Sequence, residues 1–134
     1  MPVTHIEWIA FAKGLVTGSE ISDRSAASRA YYGAFHACKP LADTLPEPPP
    51  LPPAQPKGGV HEQMIRTMCE CPVGAKTRDR DMAIRALGFV MRQCKSRRAK
   101  ADYDIKVEFT KAEAEEAIGM AENALAKLQT IPSP

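Results

Sequence analysis

Apolar residues recur along this chain at helical spacing, and no stretch alternates as a half-buried strand would. The clearest stripe lies over 78–101, where Ile84, Leu87, Met91 and Cys94 follow 3-4-3 steps and mark one face of a long helix. Continued, the stripe reaches Arg98 and Ala101, so a guanidinium falls where an apolar side chain is expected. A buried guanidinium needs an acceptor, and Asp102, one turn on, is the nearest; the second helix is another source. Ala114, Ala117, Ile118, Ala121, Leu125 and Leu128 mark the inner face of a last helix, opened by Thr110 with Glu113 as a capping box. Thr4 and Glu7 open a first helix in the same way. Ile6, Ile9, Ala10 and Lys13 share one side of it, with Trp8, Phe11 and Leu15 beside them, until Gly18 breaks it.

The second helix is expected from Ser22 or Asp23 to about Leu45. Ala26, Ala30, Ala34 and Ala37 allow a neighbour to approach closely, while Tyr31, Phe35 and Cys38 read as core. A short helix over 60–70 buries Met64, Ile65 and Met68 and stops at Pro72 and Gly74. Between these two, "LPEPPPLPPAQPKGG" (45–59) excludes helix and inner strand, because proline has no amide donor and a fixed φ. It is either a stiff, extended insertion or a ligand for an aromatic groove. The pattern predicts one all-α domain over 1–134, a four- to five-helix up-and-down bundle. Four long helices form it, and the short one is fitted in after the Pro-rich inter-helix loop.

Composition narrows the class. Of 134 residues, 44% are hydrophobic, enough for one packed core, and no apolar run is long enough to span a membrane. The start carries His5 and Glu7 within its apolar stretch and reads as a helix rather than a signal peptide. Four cysteines without a secretory signal point to a reduced, cytoplasmic setting. Cys69, Cys71 and His61 lack the second ligand pair of a zinc site, so helix-packed thiols are expected, with no metal and no cofactor. Net charge is only +2, yet nine basic residues between Lys76 and Lys100 face two acidic ones, making that segment +7. Such a stripe is a solvated helix face, a track for a phosphate backbone or a dock for an acidic partner.

The candidate chemistry lies in "RSAASRAYYGAFHACKPLAD" (24–43). Arg29 and His36 are seven residues apart, about two helical turns, so they share a face with Tyr32. Histidine suits proton transfer near neutral pH. A forked arginine suits phosphate oxygens, and tyrosine can stack on a base. The same residue types also serve as a polar seam between helices, His36 bonded to a neighbour and Arg29 paired with Asp102 or Asp104. His5 and His61 stand alone and read as ordinary surface or helix-end residues. The aromatic surplus on an alanine-rich helix further predicts a homodimer with a two-fold contact near it.

These residues carry a resemblance. "SAASRAYYGAFHACKPLAD" resembles the second-helix signature of HEPN domains, which often reads S-R-x-Y-Y-x-x-F-H-A, and "RRAKADYD" resembles the arginine and A-D-Y near the end of a long helix in that family. The resemblance spans most of the chain and implies a helical bundle, commonly homodimeric. Many HEPN proteins are metal-independent endoribonucleases of toxin–antitoxin or defence systems, with a signature of arginine, four to six residues, then histidine. Here that implies Arg29 and His36 as catalytic residues, with Tyr32, Arg97, Arg98, Asp102 and Tyr103 as binding residues. Active members usually carry the signature on a later helix, where this chain has Asp102 and Tyr103 but no histidine. Other HEPN domains are non-catalytic and bind RNA, a nucleotide, an antitoxin or a nucleotidyltransferase-type partner. An exposed His36 favours the RNA-acting reading; a buried one held by carboxylates favours the non-catalytic module.

Overall fold

Thr4 caps the first helix as its sequence predicts: its hydroxyl accepts from Glu7 N, and Glu7 reaches back to the Thr4 amide. A computed structural model describes residues 4–56 and 58–132 of the chain. These form α1 (His5–Leu15), α2 (Glu20–Ala42), α3 (Val60–Cys69), α4 (Arg78–Tyr103) and α5 (Lys111–Gln129), an all-α bundle with no strand among the described residues. Thr110 and Glu113 form the second capping box, at α5. The second helix is displaced from its expected bounds. It starts two to three residues earlier, at Glu20, and ends at Ala42 with Pro40 in its last turn. The earlier start follows from Asp23, which is buried. Its Oδ1 accepts the amides of Thr17 (3.1 Å) and Gly18 (3.2 Å) and ties the α1–α2 turn to the helix.

Contacts between helices set their directions. A Cβ on Gly33 would stand 3.2 Å from His5 O, while Ser22 Oγ donates to Leu15 O, so α1 and α2 run antiparallel. Arg24 and Ser28, at the start of α2, meet the end of α4. Lys100 pairs with Glu113, and Arg80 Nε donates to Pro132 O, so α5 returns along α4. Glu62 pairs with Lys95 while Arg85 Nε donates to Cys71 O at 2.6 Å, so α3 also runs against α4. The Pro-rich segment therefore carries the chain back along the bundle before α3 begins, and Arg66 of α3 holds it by donating to Pro49 O.

The core is built on α2. Ala26, Ala27, Ala30 and Ala34 are buried, and around them sit Tyr31, Cys38, Ile65, Met68, Ile84, Leu87 and Met91. The broad apolar surface expected of α1 is only half used. Ile9 and Ala12 are buried, whereas Ile6 and Phe11 are 66% and 57% exposed. Leu125 and Leu128 of α5 are half-buried at the edge of the core. No helix of the described residues is long and apolar enough to cross a membrane.

At Gly88, α4 packs close against the backbone of α3. A Cβ there would lie 2.7 Å from Cys69 N and 2.8 Å from Cys69 Sγ. Alanine would gain about 1 kcal/mol of helix propensity, but it would push backbone against backbone, which costs up to about 3 kcal/mol. Gly88→Ala is therefore expected to lose about 1–2 kcal/mol net, read as a lower urea midpoint. A raised midpoint would show that α3 yields freely.

Candidate functional site

Tyr32 stands at the centre of the candidate site. One turn along α2 the His36 ring stacks on it, with centroids 6.3 Å apart and planes 23° apart. From α4, Arg98 Nη2 donates to Tyr32 Oη at 3.3 Å, and the guanidinium lies 5.5 Å from the ring centre. From α1, Trp8 approaches to 6.4 Å, and Arg29 lies over Trp8 at 5.6 Å. Arg29, Tyr32 and His36 thus share a face as their spacing predicts, with Trp8 linking the arginine to the tyrosine. Arg29 and His36 are both exposed, and neither has a carboxylate partner among the described residues. Among the described residues Arg29 pairs with neither Asp102, which is held by Arg98, nor Asp104, and His36 makes no hydrogen bond to another helix, so the polar seam is not formed by this pair.

Asp102 belongs to Arg98. Its Oδ2 lies 2.7 Å from Arg98 Nε and accepts Ser28 Oγ at 3.2 Å. The Nε–H direction misses the oxygen, so attraction between the charges, rather than an aligned hydrogen bond, holds the pair. The Arg98 side chain is 14% exposed, as its place on the α4 stripe implies. The guanidinium lies 5.8 Å from the Tyr31 ring and 5.4 Å from that of Tyr103. Burial disfavours this charge, yet Asp102 and the three tyrosines hold its pKa above the ordinary arginine value. Tyr103 is 70% exposed at the end of α4 and offers an open ring. Arg97, the neighbouring residue on α4, turns about 100° away. It pairs with Glu116 of α5 at 2.6 Å and stands outside the cluster.

Much of the basic stripe of α4 is engaged within the fold, while Lys76, Arg78 and Arg92 are exposed. Arg92 and Lys95 both pair with Glu62, at 2.6 and 2.9 Å, Lys100 pairs with Glu113, and Arg85 is spent on Cys71 O. Arg85, Arg92 and Lys95 follow helical steps of seven and three and face α3 and its end, whereas Lys100 lies about 140° round the helix from Lys95 and faces α5. They bind α3 and α5 to α4. A continuous phosphate track would have to displace those partners.

His61 is the residue that sequence reasoning missed. Rather than standing alone, its ring lies 4.2 Å from Phe35, 5.4 Å from Tyr31 and 6.1 Å from Tyr32, and its Nδ1 is 2.9 Å from Tyr31 Oη. A signal was present: His61 is in register with Met64, Ile65 and Met68, the inward stripe of α3. Burial, and then the charges of Arg98, Lys95 and His36, hold its pKa below the ordinary 6.5. An unfolded chain binds this proton more readily, so the contribution of His61 to stability is complete above pH 6.5 and falls away as the pH drops below it. Urea midpoints are expected to decline from pH 7.5 to 5.5, and less so in His61→Gln. A parental midpoint that rises on acidification would contradict the depressed imidazole.

The other titratable groups offer no competing centre. No three His, Cys, Asp or Glu side chains gather as a metal would require among the described residues. His61 and Cys69 lie at opposite ends of α3, about 12 Å apart by helical rise. Burial pushes the Cys38 thiol to about 12 and Cys94 to about 11, so both stay protonated at neutral pH. A cleft of about 510 Å³ lies between the Pro-rich loop and α3, but its arginine, Arg66, is already held by Pro49 O and Glu70. The face around Tyr32 thus carries two imidazoles, two guanidiniums and open aromatic rings. It can stack a base, grip a phosphate and move a proton without a metal. The chain matches no family model, no curated protein and no solved structure.

Proposed function

We propose that this chain is a HEPN-like RNA-acting protein, a metal-independent endoribonuclease or an RNA-binding component of a toxin–antitoxin or defence system, and that it works as a homodimer. The observation that carries the reading is the setting of Tyr32. An exposed His36 stacks on its ring, Arg98 reaches its hydroxyl, and no carboxylate neutralises His36 or Arg29 among the described residues. Cleavage without metal requires a group to move the proton of the 2′-hydroxyl and fixed positive charge for the phosphorane-like transition state. On this face His36 is the proton carrier, Arg29 and Arg98 supply the charge, and Tyr32 and Tyr103 take the bases.

The alternative is a non-catalytic helical module that binds a nucleotide or a protein partner. Asp102 favours it, since it stands on the later helix with its charge already given to Arg98. Incubation of the purified protein with single-stranded RNA in EDTA separates the two. The nuclease reading expects cleavage products that carry 2′,3′-cyclic phosphate ends. Intact RNA bound with a steep salt dependence leaves the RNA-binding reading alone, and absence of both cleavage and binding overturns the proposal.

A further inference from the structure

His61 reaches the candidate site from a different helix than His36, yet the two imidazoles share the same rings. Phe35 lies 5.4 Å from His36 and 4.2 Å from His61, and Tyr32 lies 6.3 and 6.1 Å from them. The orientation of His61 is set by Tyr31, whose hydroxyl is 2.9 Å from Nδ1. Tyr31 is buried, and burial raises its pKa far above the physiological range, so the phenol keeps its proton. Among the described residues that proton has one acceptor, His61 Nδ1. With the phenol as the donor of this bond, the neutral ring carries its own proton on Nε2. Nε2 is not among the buried unpartnered atoms and donates to no described residue.

We propose that His61 is a phosphate-binding residue of this site, a neutral imidazole keyed by Tyr31 that donates its Nε2–H to a phosphodiester oxygen beside Arg98. The inference rests on the RNA-acting reading above and adds a residue and a role to it. A neutral donor fits the surroundings better than an imidazolium does. Arg98 and Lys95 of α4 and His36 of α2 all disfavour a second proton on the ring, and Glu62 on its own helix is already shared by Lys95 and Arg92. The two histidines therefore divide the work: His36, exposed, is free to exchange protons with the substrate, while His61 holds the substrate in place. A neutral amide should serve in place of His61, since the side-chain nitrogen of glutamine lies close to the position of Nε2.

The test uses a fluorescent single-stranded oligonucleotide with 2′-O-methyl riboses, which can bind but cannot be cleaved. His61→Leu is expected to weaken binding about 10–150-fold, the loss of a hydrogen bond to a charged group, and His61→Gln to stay within about 2-fold of the parent. Binding by His61→Leu equal to that of the parent overturns the role of His61 while leaving the RNA reading standing. His61→Gln as weak as His61→Leu overturns the donor role. A parent that does not bind the oligonucleotide overturns the reading and the inference together. Nitrogen-15 spectra of the free parent provide a check that needs no variant. The proton of His61 is expected on Nε2, and a proton on Nδ1 would overturn the proposal.

Discussion

The His36→Ala protein is expected to melt where the parent melts and to cleave RNA in EDTA about 10²–10⁴ times more slowly, the usual worth of a positioned proton carrier. The two halves of this expectation come from the same geometry. His36 is exposed and makes ring contacts with Tyr32 and Phe35 but no hydrogen bond to a described residue, so its removal costs at most about 1 kcal/mol of stability. Arg29→Ala follows the same pattern. The guanidinium is exposed over Trp8, a contact worth about 0.5–1 kcal/mol, whereas loss of transition-state charge stabilisation costs about 10²–10³ in rate. Circular dichroism melts beside a gel-based cleavage assay separate rate from fold. A folded His36→Ala protein that cleaves at the parental rate removes His36 from the chemistry. A variant that melts early and loses activity in proportion makes the residue structural.

Arg24→Ala is expected to destabilise the fold by about 3–4 kcal/mol. Its Nη1 donates to Lys100 O and Ala101 O, at 3.2 and 2.9 Å, and its Nη2 to Asp104 O and Val107 O. The last carbonyls of a helix have no partners within the helix, and this one guanidinium serves two of them on α4 and two more on the following turn. It also lies over the ring of buried Phe109 at 5.5 Å and pairs with Glu20, which accepts the Phe109 amide at 2.8 Å. Removing the side chain takes the donor from Ala101 O and Val107 O, while Lys100 O and Asp104 O keep the backbone amides of Asp104 and Val107, and it loosens the end of α4 that carries Arg98, Asp102 and Tyr103. Lysine keeps the charge but not the fork and is expected to recover less than half of the loss. Urea unfolding of the parent, Arg24→Lys and Arg24→Ala checks the order, and an unchanged Arg24→Ala midpoint would refute it.

The chain's own pattern determined the elements. Both capping boxes, the α4 stripe and the break at the prolines depend on residues within a few positions of one another, and local chemistry settles them. The same locality made Arg29, Tyr32 and His36 legible as one face, and it placed Arg98 on a buried stripe with Asp102 one turn away. It could not say which arginine would join Tyr32, because that depends on how α2 and α4 pack: Arg98 reaches the hydroxyl, Arg29 goes to Trp8 and Arg97 is taken by α5. Nor could it show that Lys95, Lys100 and Arg97 would pair with Glu62, Glu113 and Glu116, each on another helix. Tertiary structure alone brought His61 to the site, by turning the Pro-rich loop back along the bundle so that α3 starts beside Tyr31. The physical reason is range. Helical periodicity and capping are set within a turn or two of the chain, whereas charge pairing and ring packing are set by which helices become neighbours.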